Sequence, residues 1–175
     1  MEKLDCILIA TDLSPYAGRA ETRAAMLAQA LGAGKLVLMH VVPRLPLEAL
    51  TSILERTPLE TEQQLLDAAY AELKERAERL GAKHGIATGT AVRIGRPHVE
   101  IAEEAEALDA GLVVVGGYGA HLVRELFLGA TAEKVLRKSR RPVLVVKQEP
   151  FSPYKRLLVP VDFSPWSRSA IELAR

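Results

Sequence analysis

Two short runs, Cys6-Ile7-Leu8-Ile9-Ala10 and Leu112-Val113-Val114-Val115, limit what this chain can fold into more than any other feature. Neither alternates apolar with polar residues, so each must be covered on both faces, as an inner strand of a parallel sheet is. Parallel neighbours need long crossover connections, and helical patterns lie between the apolar runs. Ser14 as cap and Pro15 at the first helical position start a helix that runs to about Leu31, with Ala20, Ala24, Leu27 and Ala28 on one stripe. Leu36–Val42 reads as a second strand, and a long helix covers about Leu59 to His84 with Leu66, Ala69, Leu73, Ala77 and Leu80 inward. Between Arg44 and Pro58 the prolines predict a loop with a short helical piece. Thr88–Ile94 is a weaker strand, suited to an edge, and His98–Leu108 a short helix. After the Leu112 strand come a helix over about Thr131–Lys138 and a fifth strand at Pro142–Val146.

This alternation predicts an α/β fold: a five-stranded parallel sheet of order 3-2-1-4-5 with helices on both faces. Ligands of such sheets sit beyond the carboxyl ends of the strands where the winding reverses, here between the first and fourth. Asp12 then comes beside the loop that opens at Gly116-Gly117-Tyr118-Gly119 and closes at Gly129. Glycines let backbone approach an anion closely, and a helix start after Gly129 offers unpaired N–H groups at a positive dipole end. The phosphates of a nucleotide suit that arrangement. Asp12 has two readings, a turn residue or an acceptor for ribose hydroxyls; with Ser14 as the cap, Asp12 is left for the second.

The 175 residues suffice for one ordinary domain with some left over. A net charge of +1 gives no bias toward nucleic acid or a membrane surface. The single cysteine, Cys6, sits in an apolar run and reads as a core residue. No His or Cys cluster has metal-ligand spacing, and no run approaches the ~18 apolar residues of a membrane span. The first residues lack an apolar signal core, which points to the cytoplasm. His40 reads as a buried, satisfied histidine, His98 as a first-turn residue, His84 and His121 as surface residues, and Arg124 as a solvated side chain within the loop.

Leu157-Leu158-Val159-Pro160-Val161-Asp162-Phe163-Ser164-Pro165 echoes Ile7 through Pro15 at a constant offset, Asp162 matching Asp12 and Pro165 matching Pro15. Residues 1–148 therefore read as one domain and 149–154 as a linker. Residues 155–175 read as the first strand and partial first helix of a second, incomplete repeat, expected to belong to a two-domain protein of about twice the length.

Other nucleotide signatures are absent: G-x-G-x-x-G fails because Leu122 stands where the third glycine is needed, and no G-x-x-x-x-G-K-[ST] occurs. What is present is Gly116-x-x-Gly119, nine residues, then Gly129-Ala130. Together with Ile9-Ala10-Thr11-Asp12-Leu13-Ser14, Leu38-Met39-His40-Val41 and Arg141-Pro142-Val143-Leu144-Val145-Val146, it resembles the universal stress protein family over residues 4 to 147. The repeat is similar to tandem members of that family. The resemblance implies a Rossmann-like fold of the adenine nucleotide alpha hydrolase kind and an ATP-binding pattern, G-x2-G-x9-G-[ST]. On that pattern Gly116, Gly119 and Gly129 line the phosphate site, Ala10, Thr11 and Asp12 border the adenosine, Val41 meets adenine through its backbone, and Val115 lies near sugar and base. It also implies dimerisation through Val143–Val146, or pairing of that strand with its counterpart in a second domain.

One position departs from the pattern. Ala130 stands where Ser or Thr is expected, and a hydroxyl bond to a charged phosphate is worth roughly 1.5–3 kcal/mol, about ten- to hundredfold in affinity. Thr131 compensates only if the helix start shifts by a residue. The expected function is adenine nucleotide binding, ATP or AMP with or without Mg²⁺, in a stress response, weakened by Ala130. The alternatives are a dimeric scaffold of the same fold without nucleotide and, third, a slow ATPase; no residue is placed as an evident base or nucleophile.

Overall fold

The computed structural model describes residues 4–44, 58–117 and 128–173. Five parallel strands, β1 (Cys6–Ala10), β2 (Lys35–Pro43), β3 (Ala87–Gly95), β4 (Leu112–Gly116) and β5 (Val143–Val146), form one sheet in the order β3-β2-β1-β4-β5. The helices are α1 (Gly18–Leu31), preceded by a 3₁₀ turn at Pro15–Ala17, α2 (Pro58–His84), α3 (Pro97–Ala107), α4 (Ala130–Lys138) and α5 (Pro165–Leu173). The loop and short helical piece expected between Arg44 and Pro58 lie almost wholly outside the described residues.

Because successive side chains of a strand point to opposite faces, the doubly apolar runs feed two cores. Ile7, Ile9, Leu36, Leu38 and Val114 pack under α1 and α2, against Ala20, Ala24, Ala28, Leu73 and Ala77. Leu8, Val37, Met39, Val113 and Val115 pack on the other face against Ile101 and Ala105 of α3 and Ala132 and Val135 of α4. Cys6 is buried in this second core, and burial raises its thiol pKa against the lowering pull of Lys35.

Ser14 caps the first turn by accepting from Ala17 N at 3.3 Å. Gly32 (φ 66°) and Gly85 (φ 64°) end α1 and α2 in the left-handed region that glycine enters without a Cβ clash. His84 is half-buried rather than a surface residue: its carbonyl accepts from Gln29 Nε2 at 2.8 Å, and its Nδ1 lies 3.2 Å from Gln29 Oε1, joining α2 to α1.

Residues 155–161 pair with no strand of the sheet, and Leu157, Leu158 and Val161 are exposed. A lone parallel strand has no ladder to join, so the β-like pattern stays unpaired here. The following helix does form, and its entry reproduces the one after β1. Phe163 and Leu13 both have φ 62°, Asp162 and Asp12 both accept from the serine amide two residues on, and both serines cap the amide three residues further on.

Candidate functional site

β1 and β4 are neighbours, with Ala10 paired to Val115, so their carboxyl ends open onto one crevice. Ala10 is half-buried and Val115 buried at its floor. Thr11 N donates to Met39 O at 2.9 Å, which turns the Met39 peptide groups toward β1. Two residues on, Val41 faces the same side by strand periodicity, but β1 has ended. The Val41 N–H and C=O thus border the crevice from a side chain that is itself buried.

Thr11 does not present its hydroxyl to the crevice. It is buried, donates to Glu21 Oε1 at 3.1 Å and accepts from Leu13 N at 3.2 Å. Its carbonyl accepts from His40 Nδ1 at 2.9 Å, so this ring nitrogen carries the proton and His40 is satisfied as read from its apolar strand. Asp12 is exposed, but its carboxylate is not left over by the cap: Oδ1 accepts from Ser14 N at 3.1 Å and from Ser14 Oγ at 2.6 Å. One side chain thereby shapes the turn and still shows a carboxylate at the crevice.

Beneath this turn lies an ion pair between two helices. Arg76 of α2 places Nη1 3.4 Å from Glu21 Oε1, donates to Leu13 O, and meets Glu72 at 2.8 Å. Thr11, Leu13, Glu21 and Arg76 form one network under a left-handed leucine, a conformation that needs support from its surroundings. Sequence reading missed it, although a signal was available. Glu21 lies three residues before Ala24 and Arg76 three after Leu73, so one acid and one base sit on apolar stripes of two helices.

On the β4 side, Gly117 N donates to Val146 O and Gly117 O accepts from Gly129 N, both at 2.8 Å. The second bond ties the two ends of the loop together. A Cβ on Gly117 would stand 2.8 Å from Lys147 Cγ and 3.3 Å from Val146 O, so glycine is required there by close approach. Gly116 is half-buried and Gly129 buried; Gly119, with His121 and Arg124, lies outside the described residues. Gly129 is the cap of α4 and supplies no side-chain bond to it. The helix starts at Ala130, which puts the exposed Thr131 second, so the start has not shifted to give Thr131 the hydroxyl position. His98, half-buried at the start of α3, is held below its usual pKa by desolvation and by Lys138, Lys134 and Arg96.

A small cleft of ≈ 160 Å³, partly open to solvent, is lined by Tyr16, Arg19, Gly116, Gly117, Val146 and Lys147. Two cations therefore stand beside the glycine strand end. Among the described residues no group of acids, histidines and cysteine is placed to hold a metal ion. No helix of the described residues is long and apolar enough to cross a membrane.

The model of the universal stress protein family matches residues 4–147. The chain belongs to the universal stress protein family. Among its relatives, a universal stress protein of Thermus aquaticus is 32% identical over 81% of this chain and 97% of its own. Universal stress protein MJ0577 of Methanocaldococcus jannaschii is 28% identical over 68% of this chain and 80% of its own. The solved structure of MJ0577 superposes with a TM-score of 0.71 at 26% identity, covering 85% of this chain and 99% of that one. A universal stress protein solved in complex with cAMP has a TM-score of 0.58 at 26% identity, over 81% of this chain and 95% of that one. The structure of a universal stress protein from Archaeoglobus fulgidus, at 28% identity and TM-score 0.58, is matched over 84% of this chain but only 45% of its own.

Proposed function

We propose that the crevice between β1 and β4 binds an adenine nucleotide, ATP or AMP, as part of a stress response. The observation that carries this reading is the α4 start. Gly129, tied to Gly117 O, caps the helix without a side chain, so first-turn N–H groups stand at the mouth of the glycine loop. The Val41 peptide offers one donor and one acceptor to a base edge, Ala10 and Val115 floor the site, and the Asp12 carboxylate suits ribose hydroxyls. A family member solved with cAMP supports the ligand class. Gly116, Gly119 and Gly129 would approach the phosphates, and Ala130 would supply backbone only, with Thr131 beyond the hydroxyl position.

Calorimetric titration with ATP and AMP tests this. Weak binding that tightens about ten- to hundredfold in Ala130→Ser is expected. Gly119→Val, by placing a side chain where phosphate must pass, should abolish it; unchanged affinity there rules out the site. Ala130 also motivates a second reading, a scaffold that acts by contacts, indicated by no binding at millimolar ATP. Phosphate release lost in the loop variant would instead favour slow hydrolysis.

We further infer that residues 155–175 begin a second repeat, with 149–154 as linker. The duplicated Asp-Ser turn supports this, as does a family structure of which this chain matches less than half. The β5 edge, Val143–Val146, would pair with a second copy or with the counterpart strand of that repeat. Strong hydrogen-exchange protection of 155–175 in a dilute monomer would contradict the incomplete-repeat reading.

A further inference from the structure

Arg19 occupies an unusual position: it lines the cleft shared with Gly116 and Gly117, yet both of its polar partners come from the segment that follows β5. Its Nε donates to Glu149 Oε2 at 3.1 Å and its Nη1 to Lys147 O at 3.4 Å, while its guanidinium lies 5.4 Å from the Tyr16 ring centre. One helical turn later on the same face, Arg23 is buried, donates to Ser152 O at 2.9 Å and stacks 4.1 Å from the Tyr154 ring centre. Pro150 is buried between these contacts. The segment Lys147–Tyr154 is therefore not a free linker but a strap laid along α1 by two arginines four residues apart.

The two anchors differ in a way that matters. Arg23 is enclosed, and its Nε has no hydrogen-bond partner, so nothing competes for it from the cleft. Arg19 has a third of its side chain exposed, and its partner Glu149 nearly half. An exposed pair of this kind is weak and salt-sensitive, so a polyanion entering the cleft competes with Glu149 on favourable terms.

We propose that Arg19 is a charge receptor for the terminal phosphates of a nucleoside polyphosphate at this site, held in reserve by Glu149 of the strap. The proposal rests on the nucleotide reading above and adds to it what distinguishes a polyphosphate from a nucleoside. When phosphate takes Arg19, the strap loses its outer anchor while Arg23 keeps the inner one. By linkage, loosening the strap must raise polyphosphate affinity by the same factor that the ligand loosens the strap. Occupancy of the crevice is thereby transmitted to the chain beyond Tyr154.

The test is calorimetry on the full 175-residue chain at low ionic strength, with ATP and with adenosine as probes. The proteins are wild type, Glu149→Gln, Arg19→Gln and the double variant. Glu149→Gln should tighten ATP about two- to fivefold and leave adenosine unchanged. Arg19→Gln should weaken ATP about tenfold and remove the gain from Glu149→Gln. Hydrogen exchange of residues 147–150 should quicken on saturation with ATP and not with adenosine. An equal effect of Glu149→Gln on both probes, or the same gain without Arg19, overturns the proposal while the nucleotide site stands. ATP bound by none of the four proteins overturns both.

Discussion

Replacing Arg76 by alanine should cost more than its position on a long, charged helix suggests. The Arg76 and Glu21 side chains are 16% and 11% exposed, so their pair is largely desolvated, whereas Glu72, at 49%, provides only a surface contact. Losing the Glu72 contact removes at most about 0.5 kcal/mol. Losing the Glu21 contact strands a buried carboxylate, for which removal of one partner costs about 3–5 kcal/mol. Thr11 still donates to Glu21, which places the expected loss near the lower end, at about 3 kcal/mol. With a urea m-value of about 1–3 kcal/mol/M, the midpoint should fall by about 1–3 M at constant m. The companion experiment changes both partners: Glu21→Gln with Arg76→Met keeps an acceptor for Thr11 and removes both charges. The double variant should recover about 1–2 kcal/mol over Arg76→Met alone. A single-variant loss under about 1 kcal/mol, or a double variant no better than the single, would refute the claim that a desolvated charge underlies the effect.

Other outcomes follow from local geometry. Gly32→Ala forces a Cβ into φ 66° and should destabilise by about 1–2 kcal/mol, measurable by urea denaturation. Leu158→Ser and Phe163→Ser, at residues 94% and 97% exposed, should leave the main urea transition within about 0.5 kcal/mol of wild type. Hydrogen bonds from Ser164 and Ser167 pull the Asp162 carboxyl down to about 2. A depressed carboxylate stabilises its folded form above its ordinary pKa of 3.8 and loses that contribution as pH falls toward 2. Amide exchange at Ser164 and Ser167 should therefore quicken across that window, and a flat profile would count against the cap. His98 should titrate below 6.5 by NMR, and move back upward when Lys138 or Lys134 is made neutral.

Much of this molecule follows from short-range pattern. The doubly apolar runs of β1 and β4 require cover on both faces, and helical stretches between strands leave a parallel sheet as the arrangement that provides it. Ser14-Pro15 and Gly32 mark the ends of the first helical segment because capping and left-handed backbone depend on a few adjacent residues. The order β3-β2-β1-β4-β5, and with it the meeting of Asp12 and Gly116 at one crevice, was legible for the same reason.

Tertiary structure decided what those residues face. Asp12, left for a ligand by a local reading of the cap, is drawn into the turn by Ser14; Thr11, a site candidate by motif, turns inward to Glu21. The Glu21–Arg76 pair joins residues 55 positions apart, and the Arg19–Glu149 contact spans 130. Helical periodicity places a charge on a stripe but does not identify its partner across such distances. The sequence by itself determined the sheet and where its crevice opens, because burial periodicity is local. Only the packing of α1 against α2 and against the strap decided which charges support that crevice and which one stands ready at its edge, because pairing is set by where distant elements come to rest.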